Sequence, residues 1–223
     1  LSEIAIIFYV VLKIQKNCFR KVKEKMAKFD KIRSDFLNSL WKKDITTYWH
    51  SLNVGRYAYQ FAEYLGFSFS ERKIAQLAGE LHDIGKLFVP SSILTKNGRL
   101  TDEEFDVIKK HPLLGFEEFS RRCGSGLLYE QIGEVILCHH ERYDGTGYPN
   151  GVPIGDCSDI VSIVALCDVY DAITAKRPYQ SAQPPEKALQ IMIEKRGVQF
   201  RPDLLDKFVR LFGVHHSILL SRK

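Results

Sequence analysis

Apolar residues recur at helical spacing along most of this chain. Between residues 13 and 43 they lie three or four positions apart among charged residues, at Ile14, Cys18, Val22, Met26, Phe29, Ile32, Phe36 and Leu40. This spacing is typical of an amphipathic helix with one apolar face. After residue 14 the sequence has no alternating stretch of convincing strand length. The pattern therefore predicts an all-α protein that begins with an amphipathic helix.

Capping and turn residues divide the rest of the chain into shorter helices. Gly66 is expected to end a helix over 48–65, and Ser70 to begin one that runs to Gly85. Thr101 and Glu104 form a capping-box pattern, and the helix they open should end near residue 111, before a proline. Further helices are predicted over 132–139, 160–175, 185–196 and from residue 202, with a turn-rich segment over 144–155.

Positive charge is concentrated in residues 1–43, which we call the N-terminal arm. Eleven Lys and Arg residues against three acidic ones lie between Lys13 and Lys43, whereas the other residues carry 21 basic against 24 acidic side chains. A surface that binds duplex nucleic acid would need positive charge spread over the folded face. We therefore expect no duplex nucleic-acid partner, and we expect residues 44–223 to form a separate domain.

Two segments of the arm, 4–12 and 13–43, each have two open interpretations. Its apolar run over 4–12 is nine residues long, against roughly 20 for a membrane span. The run fits either the end of a transmembrane helix with a basic flank or a buried segment of an upstream sensor domain. The apolar stripe over 13–43 could pair with a second copy of the chain in a homodimer or pack on the domain that follows.

Five cysteines without a C-x-x-C pair indicate reduced thiols. The expected location is the cytoplasm, either as a free protein or as the cytoplasmic part of a membrane-anchored one.

Candidate metal ligands fall at predicted helix ends and on helix faces. A carboxylate can bridge two metals, and adjacent ligands on a helix point about 100° apart, so they can reach different ions. Imidazole with carboxylate and without thiolate suits Fe, Mn, Ni or Zn better than Mg or Ca. Paired metals support phosphodiester hydrolysis because they activate water and neutralise the phosphoryl group. The candidates are His50, His82, Asp83, His111, His139, His140 and Asp168.

Each candidate taken alone also has an ordinary structural interpretation. His50 could be a boundary residue of its helix, and a histidine at a helix C-terminus, such as His82 or His139, could serve only as a cap. Asp168 is the exception, because it lies in a mostly apolar run. A carboxylate among buried residues needs a cation or hydrogen-bond donors.

Two longer motifs resemble the signatures of the HD-GYP domain family. They are H-D-I-G-K at 82–86 and H-H-E-R-Y-D-G-T-G-Y-P at 139–149, and the likeness extends over roughly 44–210. His111-Pro112, Asp168, Asp171 and Arg177-Pro178-Tyr179 match further family landmarks in order. The resemblance implies an HD-superfamily helical bundle with two or three metals, often iron or manganese. It also implies hydrolysis of cyclic di-GMP to the linear dinucleotide and in some members to GMP.

The resemblance also assigns roles to residues of this chain. The seven candidates above would be the metal ligands, with Asp83 in the catalytic centre. Lys86 would contact the scissile phosphate, and Arg177 would be a second phosphate contact. Gly145 and Gly147 would shape a loop that carries Tyr148 and Pro149 beside the substrate.

Three positions depart from the family pattern. Thr46 stands where members with three metals have a glutamate, so we predict two metal ions, Fe or Mn. Gln180 replaces a usual basic residue, which would weaken one phosphate contact. Arg201 replaces an aspartate in a common Phe-Asp-Pro, which we interpret as a local change in helix capping.

Two other functions remain open beside the phosphodiesterase. A catalytically weak receptor or signalling scaffold would bind the cyclic dinucleotide without turnover, although none of the seven ligands is lost. Another phosphohydrolase of the HD superfamily, such as a nucleotidase, is disfavoured because simpler members lack the Gly145–Pro149 segment.

Overall fold

A computed structural model describes residues 3–175 and 182–220, and the chain within them is helical. Two 3₁₀ turns, Ile84–Phe88 and Ile154–Asp156, join the helices, and only isolated β-bridges occur in this part of the chain. The all-α prediction is confirmed. The helices are α1 (Glu3–Lys43), α2 (Ile45–Tyr64), α3 (Phe69–Leu81), α4 (Ser91–Leu94), α5 (Asp102–Ile108), α6 (His111–Cys123), α7 (Leu127–Cys138), α8 (Asp159–Thr174), α9 (Pro185–Ile193) and α10 (Pro202–Leu220).

The chain separates into two compact units, residues 1–36 and residues 37–223. The first unit is the greater part of α1, whose apolar side chains Phe19, Val22 and Met26 are exposed. Among the described residues, no helix has the length and apolar character needed to cross a membrane. The role of the arm as a separate linker stays a prediction.

The core of the second unit surrounds α8. Its residues 160–168 are all buried, and α8 packs against α2, α3, α7 and α9. An aromatic cluster joins α2, α8 and α10, with the rings of Phe61 and Phe208 at 5.0 Å and those of Tyr57 and Tyr170 at 5.4 Å. Burial of each such large apolar side chain contributes roughly 1.5–3 kcal/mol. A helix buried on every side thus holds the polar residues Asp168 and Asp171 at fixed positions.

The structure corrects the predicted limits of α3. Its N-cap is Ser68 rather than Ser70. The Ser68 side chain accepts a hydrogen bond from the Glu71 amide, and the Glu71 carboxylate accepts one from the Ser68 amide. The helix ends at Leu81, not at Gly85, and a 3₁₀ turn carries the chain onward. The capping box of Thr101 and Glu104 at the start of α5 is confirmed.

The helix α6 was not predicted from the sequence. Pro112 was interpreted only as the end of the preceding helix, whereas it lies in the first turn of α6, where a missing N–H is tolerated. The preceding helix, α5, ends already at Ile108. His111 therefore begins a helix instead of ending one, and it enters the core beside the 3₁₀ turn 84–88.

Candidate metal centre

Seven side chains from five helices converge in the interior of the second unit. All are buried except His140, which is half-buried. The structure thus brings together every ligand candidate from the sequence. Metal binding by these residues stays a prediction. They are His50 on α2, His82 and Asp83 at the end of α3, His111 at the start of α6, His139 and His140 at the end of α7, and Asp168 within α8.

Asp83 lies between two groups of imidazoles. Its Oδ2 is 3.2 Å from His82 Nε2 and 3.7 Å from His50 Nε2. Its Oδ1 is 3.2 Å from His111 Nε2 and 3.9 Å from His139 Nε2. Asp83 therefore belongs to both clusters that could hold an ion, one with His50 and His82 and one with His111, His139 and His140. A carboxylate in this position can bridge two metals.

Backbone carbonyls set the tautomer of three histidines. The Nδ1 atoms of His82 and His111 lie 2.7 and 2.8 Å from the carbonyl oxygens of residues 79 and 108. His139 Nδ1 is 3.1 Å from two carbonyls of its own helix. A carbonyl can only accept, so each Nδ1 carries the proton and each Nε2 keeps a lone pair. Such contacts orient histidines in metal sites.

The lone pairs that face the interior require a positive partner. His111 Nε2 and His139 Nε2 are 3.2 Å apart, and with these tautomers neither can donate to the other. Within the part of the chain that the structure describes, His82 Nε2 and Asp83 Oδ1 are buried with no hydrogen-bond partner. An unsatisfied buried polar atom costs about 1–3 kcal/mol. Divalent ions would satisfy these atoms, so the residues present fit a metal centre.

Burial and neighbouring charges set the protonation states of the cluster. Burial raises the pKa of Asp83, but the neighbouring His82 and Lys86 outweigh it and hold this pKa well below its usual range. Burial lowers the pKa of His50, yet its hydrogen bonds to Asp168 and Asp171 leave it raised. Burial and the neighbouring His111 lower the pKa of His140 to about 3. Asp83 is thus ionised, and His140 is neutral, as a ligand must be.

Asp171 completes the cluster, although the sequence assigned it no role. It lies three residues after Asp168 on α8, and its Oδ2 accepts from His50 Nδ1 at 2.7 Å. His50 Nε2 is 2.9 Å from Asp168 Oδ1. A carboxylate behind a histidine fixes its orientation and raises its basicity as a ligand. The i, i+3 spacing of two aspartates on one helix face was the signal available in the sequence.

Glu141 holds the loop of the second motif, a role that the sequence did not reveal. Its buried carboxylate accepts from the amides of Asn150, at 2.7 Å, and Val152, at 3.2 Å. Gly147 lies so close to this backbone that a Cβ would be 2.5 Å from the Glu141 Cα and from the His140 oxygen. The loop therefore folds back over the ligand pair at the end of α7.

A cleft of about 460 Å³ opens beside the cluster. Its lining includes His139, His140 and Asp168 from the cluster and Gly147 and Tyr148 from the loop. The Tyr148 ring stacks on His140, with centroids 4.7 Å apart and an interplanar angle of 29°. Cavities of roughly 300–1,000 Å³ accept small ligands. Two of the four predicted loop residues thus line the cleft.

The other predicted substrate contacts have different positions. Gly145 has a φ of 73°, which a glycine adopts without strain, and this residue shapes the loop. Pro149 is exposed. Lys86 Nζ contacts Asp83 Oδ2 at 2.6 Å. Arg177 lies outside the described residues, as does Gln180. Arg201 forms one ion pair with Asp159 at the start of α8 and another with Asp203 in the first turn of α10. The expected local change in helix capping therefore involves both helices.

Fold and cluster together define a helical protein with a candidate metal centre in its core. The HD domain family model matches residues 23–204, and the chain belongs to the HD domain family. The predicted kinship with HD-GYP proteins is confirmed by curated relatives. The chain is 43% identical over 151 residues to the cyclic di-GMP phosphodiesterase response regulator RpfG of Xanthomonas campestris pv. campestris, covering 67% of this chain and 39% of that protein.

Two further comparisons agree with this assignment. A cyclic di-GMP phosphodiesterase of Thermotoga maritima is 38% identical over 179 residues, covering 79% of this chain and 48% of the relative. The chain thus spans about two fifths to one half of these relatives. The HD domain of the L. monocytogenes phosphodiesterase PgpH, solved in complex with cyclic-di-AMP, superposes with a TM-score of 0.64 at 20% identity over 82% of this chain and 96% of that one. That likeness shows the fold.

Proposed function

We propose that this chain is a metal-dependent phosphodiesterase that hydrolyses a cyclic dinucleotide, foremost cyclic di-GMP, to the linear dinucleotide and in a second cut to GMP. The observation that carries the proposal is the buried Asp83, shared by two imidazole clusters, in a centre whose His139, His140 and Asp168 line an open cleft. The names of the curated relatives, which act on cyclic di-GMP, support this choice of substrate.

The residues divide the chemistry among them. His50, His82, Asp83 and Asp168 would hold one metal ion, and Asp83, His111, His139 and His140 the other. When bound, the ions lower the pKa of water and neutralise negative charge at the phosphorus. Lys86 donates to a non-bridging phosphate oxygen, for which it must leave Asp83, and Arg177 is the proposed second donor. Tyr148 lies against His140 at the cleft wall and excludes water from that side.

The direct test uses protein purified without oxygen and analysed for metal. Cyclic di-GMP, the mixed cyclic GMP-AMP and cyclic di-AMP are supplied to the same sample, and products are separated by chromatography. Turnover of cyclic di-GMP, abolished by a chelator and restored by Fe or Mn, supports the proposal. Tight binding without turnover in metal-replete protein contradicts it and identifies the receptor or scaffold instead.

Thr46 carries a prediction about the number of ions. Thr46 lies one helical turn before His50 and lines a pocket together with His50 and Asp171, and a threonine cannot add a carboxylate there. We expect elemental analysis of the replete protein to give about two ions per chain, Fe or Mn, as paired-metal hydrolysis requires. Thr46→Glu is expected to raise this value. A wild-type value near three would mean that another group replaces the missing carboxylate.

Lys86 carries a prediction about the transition state. Lys86→Ala is expected to keep the wild-type metal content and to lower kcat by about 10²–10³, the effect of removing one donor from a charged transition state. Lys96→Ala is a matched control, because its ammonium binds Glu104 at the surface. An unchanged kcat in Lys86→Ala would leave Lys86 as a structural partner of Asp83.

The arm carries a prediction about assembly. We propose that α1 is a signalling helix that pairs with a second copy and relays the state of an upstream sensor or membrane segment. The exposed stripe of Phe19, Val22 and Met26, in a part of α1 rich in charged residues, supports pairing. Val22→Glu with Met26→Glu should convert a dimer to a monomer in light scattering while metal content stays constant. Lys23→Glu is the control, and a wild-type monomer would contradict pairing.

A further inference from the structure

One wall of the cleft has no role in metal or phosphate binding. It is formed by α5 and its C-cap, where Phe105 and Lys109 line the same space as His140 and Asp168. Phe105 is 44% exposed although it borders a cavity. A large apolar side chain exposed inside a polar cleft offers an apolar surface on which a flat aromatic ligand can bind.

The ring of Phe105 extends an aromatic series that begins at the metal cluster. His140 and Tyr148 are stacked, and Tyr148 and Phe105 meet edge to face, with centroids 6.4 Å apart and an angle of 83°. His140 thus covers Tyr148, whereas Phe105 has the Lys109 ammonium over one face and stays 44% exposed to solvent. A nucleobase stacked on an exposed aromatic ring gains about 1–3 kcal/mol.

Lys109 adds a hydrogen-bond donor over one face of this ring. Its Nζ is 5.3 Å from the centroid of Phe105 and forms an ion pair with Asp106. An ammonium offers donors and no acceptor. Guanine presents two acceptors, N7 and O6, on its outer edge, whereas adenine presents N7 and an amino donor there. If a base stacks on Phe105 with this edge toward Lys109, guanine would bind more tightly than adenine.

We infer that Phe105 and Lys109 form a nucleobase subsite of the cleft, in which Phe105 stacks one base of the cyclic dinucleotide and Lys109 ranks guanine above adenine. This inference rests on the proposed function. It assigns base selectivity to the α5 wall and leaves bond cleavage to the metal cluster.

The first experiment separates stacking from chemistry. Phe105→Ala should raise the KM for cyclic di-GMP about tenfold and change kcat less than twofold, because the base is held equally before and during cleavage. Phe105→Tyr should restore the KM. Phe69→Ala, which removes an exposed ring on α3 outside the cleft, is the matched control and should not change KM.

A fluorescent substrate gives a signal that would not change if Phe105 had only a structural role. Cyclic di-GMP with 2-aminopurine in place of one guanine should be quenched within the mixing time by the wild type and by Phe105→Tyr. Phe105→Ala should lose most of this quenching while its metal content and its melting temperature stay at the wild-type values. Full quenching by Phe105→Ala would overturn the stacking role.

The second experiment measures selectivity. Lys109→Met should lower the ratio of kcat/KM for cyclic di-GMP to that for cyclic di-AMP about fivefold, and Lys110→Met, an exposed neighbour, should leave the ratio unchanged. If the wild type hydrolyses cyclic di-GMP and both the KM of Phe105→Ala and the ratio of Lys109→Met are unchanged, only the subsite is refuted. A wild type that turns over none of these substrates would refute the proposed function, and the subsite with it.

Discussion

Replacement of Asp83 by alanine is expected to abolish hydrolysis of cyclic di-GMP and to lower the metal content below about one ion per chain. Asp83 is the one carboxylate shared by both clusters, and each of its oxygens faces a different group of imidazoles. Its loss would weaken both ion positions together, since the remaining histidines would have to hold two like charges without it. Elemental analysis and product chromatography on the same sample measure the two effects.

Two control variants separate this effect from a general loss of structure. Asp83→Asn keeps the size of the side chain but removes its charge, so it should lose turnover while folding as shown by circular dichroism. Asp102→Ala removes an exposed carboxylate at the start of α5 and should keep full activity and metal. Full activity of Asp83→Ala with an unchanged metal content would refute the bridging role.

Gly85→Ala is expected to have the largest effect on stability. A Cβ at this position would lie 1.8 Å from the backbone oxygen of His111 and 2.8 Å from the Gly115 amide nitrogen, so the 3₁₀ turn 84–88 and α6 would have to separate. Neither partner is a flexible side chain that could turn away. We expect the free energy of unfolding in urea to fall by about 4 kcal/mol or more, in the range of the most severe single substitutions.

A second glycine provides the matched control for this change. Among the described residues, a Cβ at Gly213, within α10, would meet Leu189 Cδ1 alone, at 3.8 Å. Gly213→Ala should therefore be neutral or stabilise the protein by up to about 1 kcal/mol, because alanine favours a helix interior. A loss below about 1 kcal/mol for Gly85→Ala would show that the turn can move away from α6 at little cost.

Local sequence patterns were sufficient for the fold class and for most helices. The apolar spacing predicted helices throughout, and the capping box of Thr101 and Glu104 is present as expected. The motifs at 82–86 and 139–149 also placed the ligand candidates at helix ends, where the structure has them. These features are determined by residues within a few positions of each other, so a single sequence displays them.

The local predictions failed where two signals competed. Ser68 and Ser70 can both cap a helix, and the reciprocal bond with Glu71, three residues after Ser68, selects Ser68. Pro112 can either end one helix or lie in the first turn of the next. The contact of Gly85 with the backbone of α6 shows how closely the 3₁₀ turn approaches the start of that helix, an approach that no local signal encodes.

The sequence by itself determined an all-helical protein of the HD-GYP kind and the residue types of its candidate centre. Only the tertiary structure decided that Asp83 lies between the two histidine groups, that Asp171 binds His50 and that Glu141 anchors the loop over His140. The wall formed by Phe105 also became visible only there. The physical reason is that these contacts join residues far apart in the chain, and their geometry depends on how the helices pack around α8.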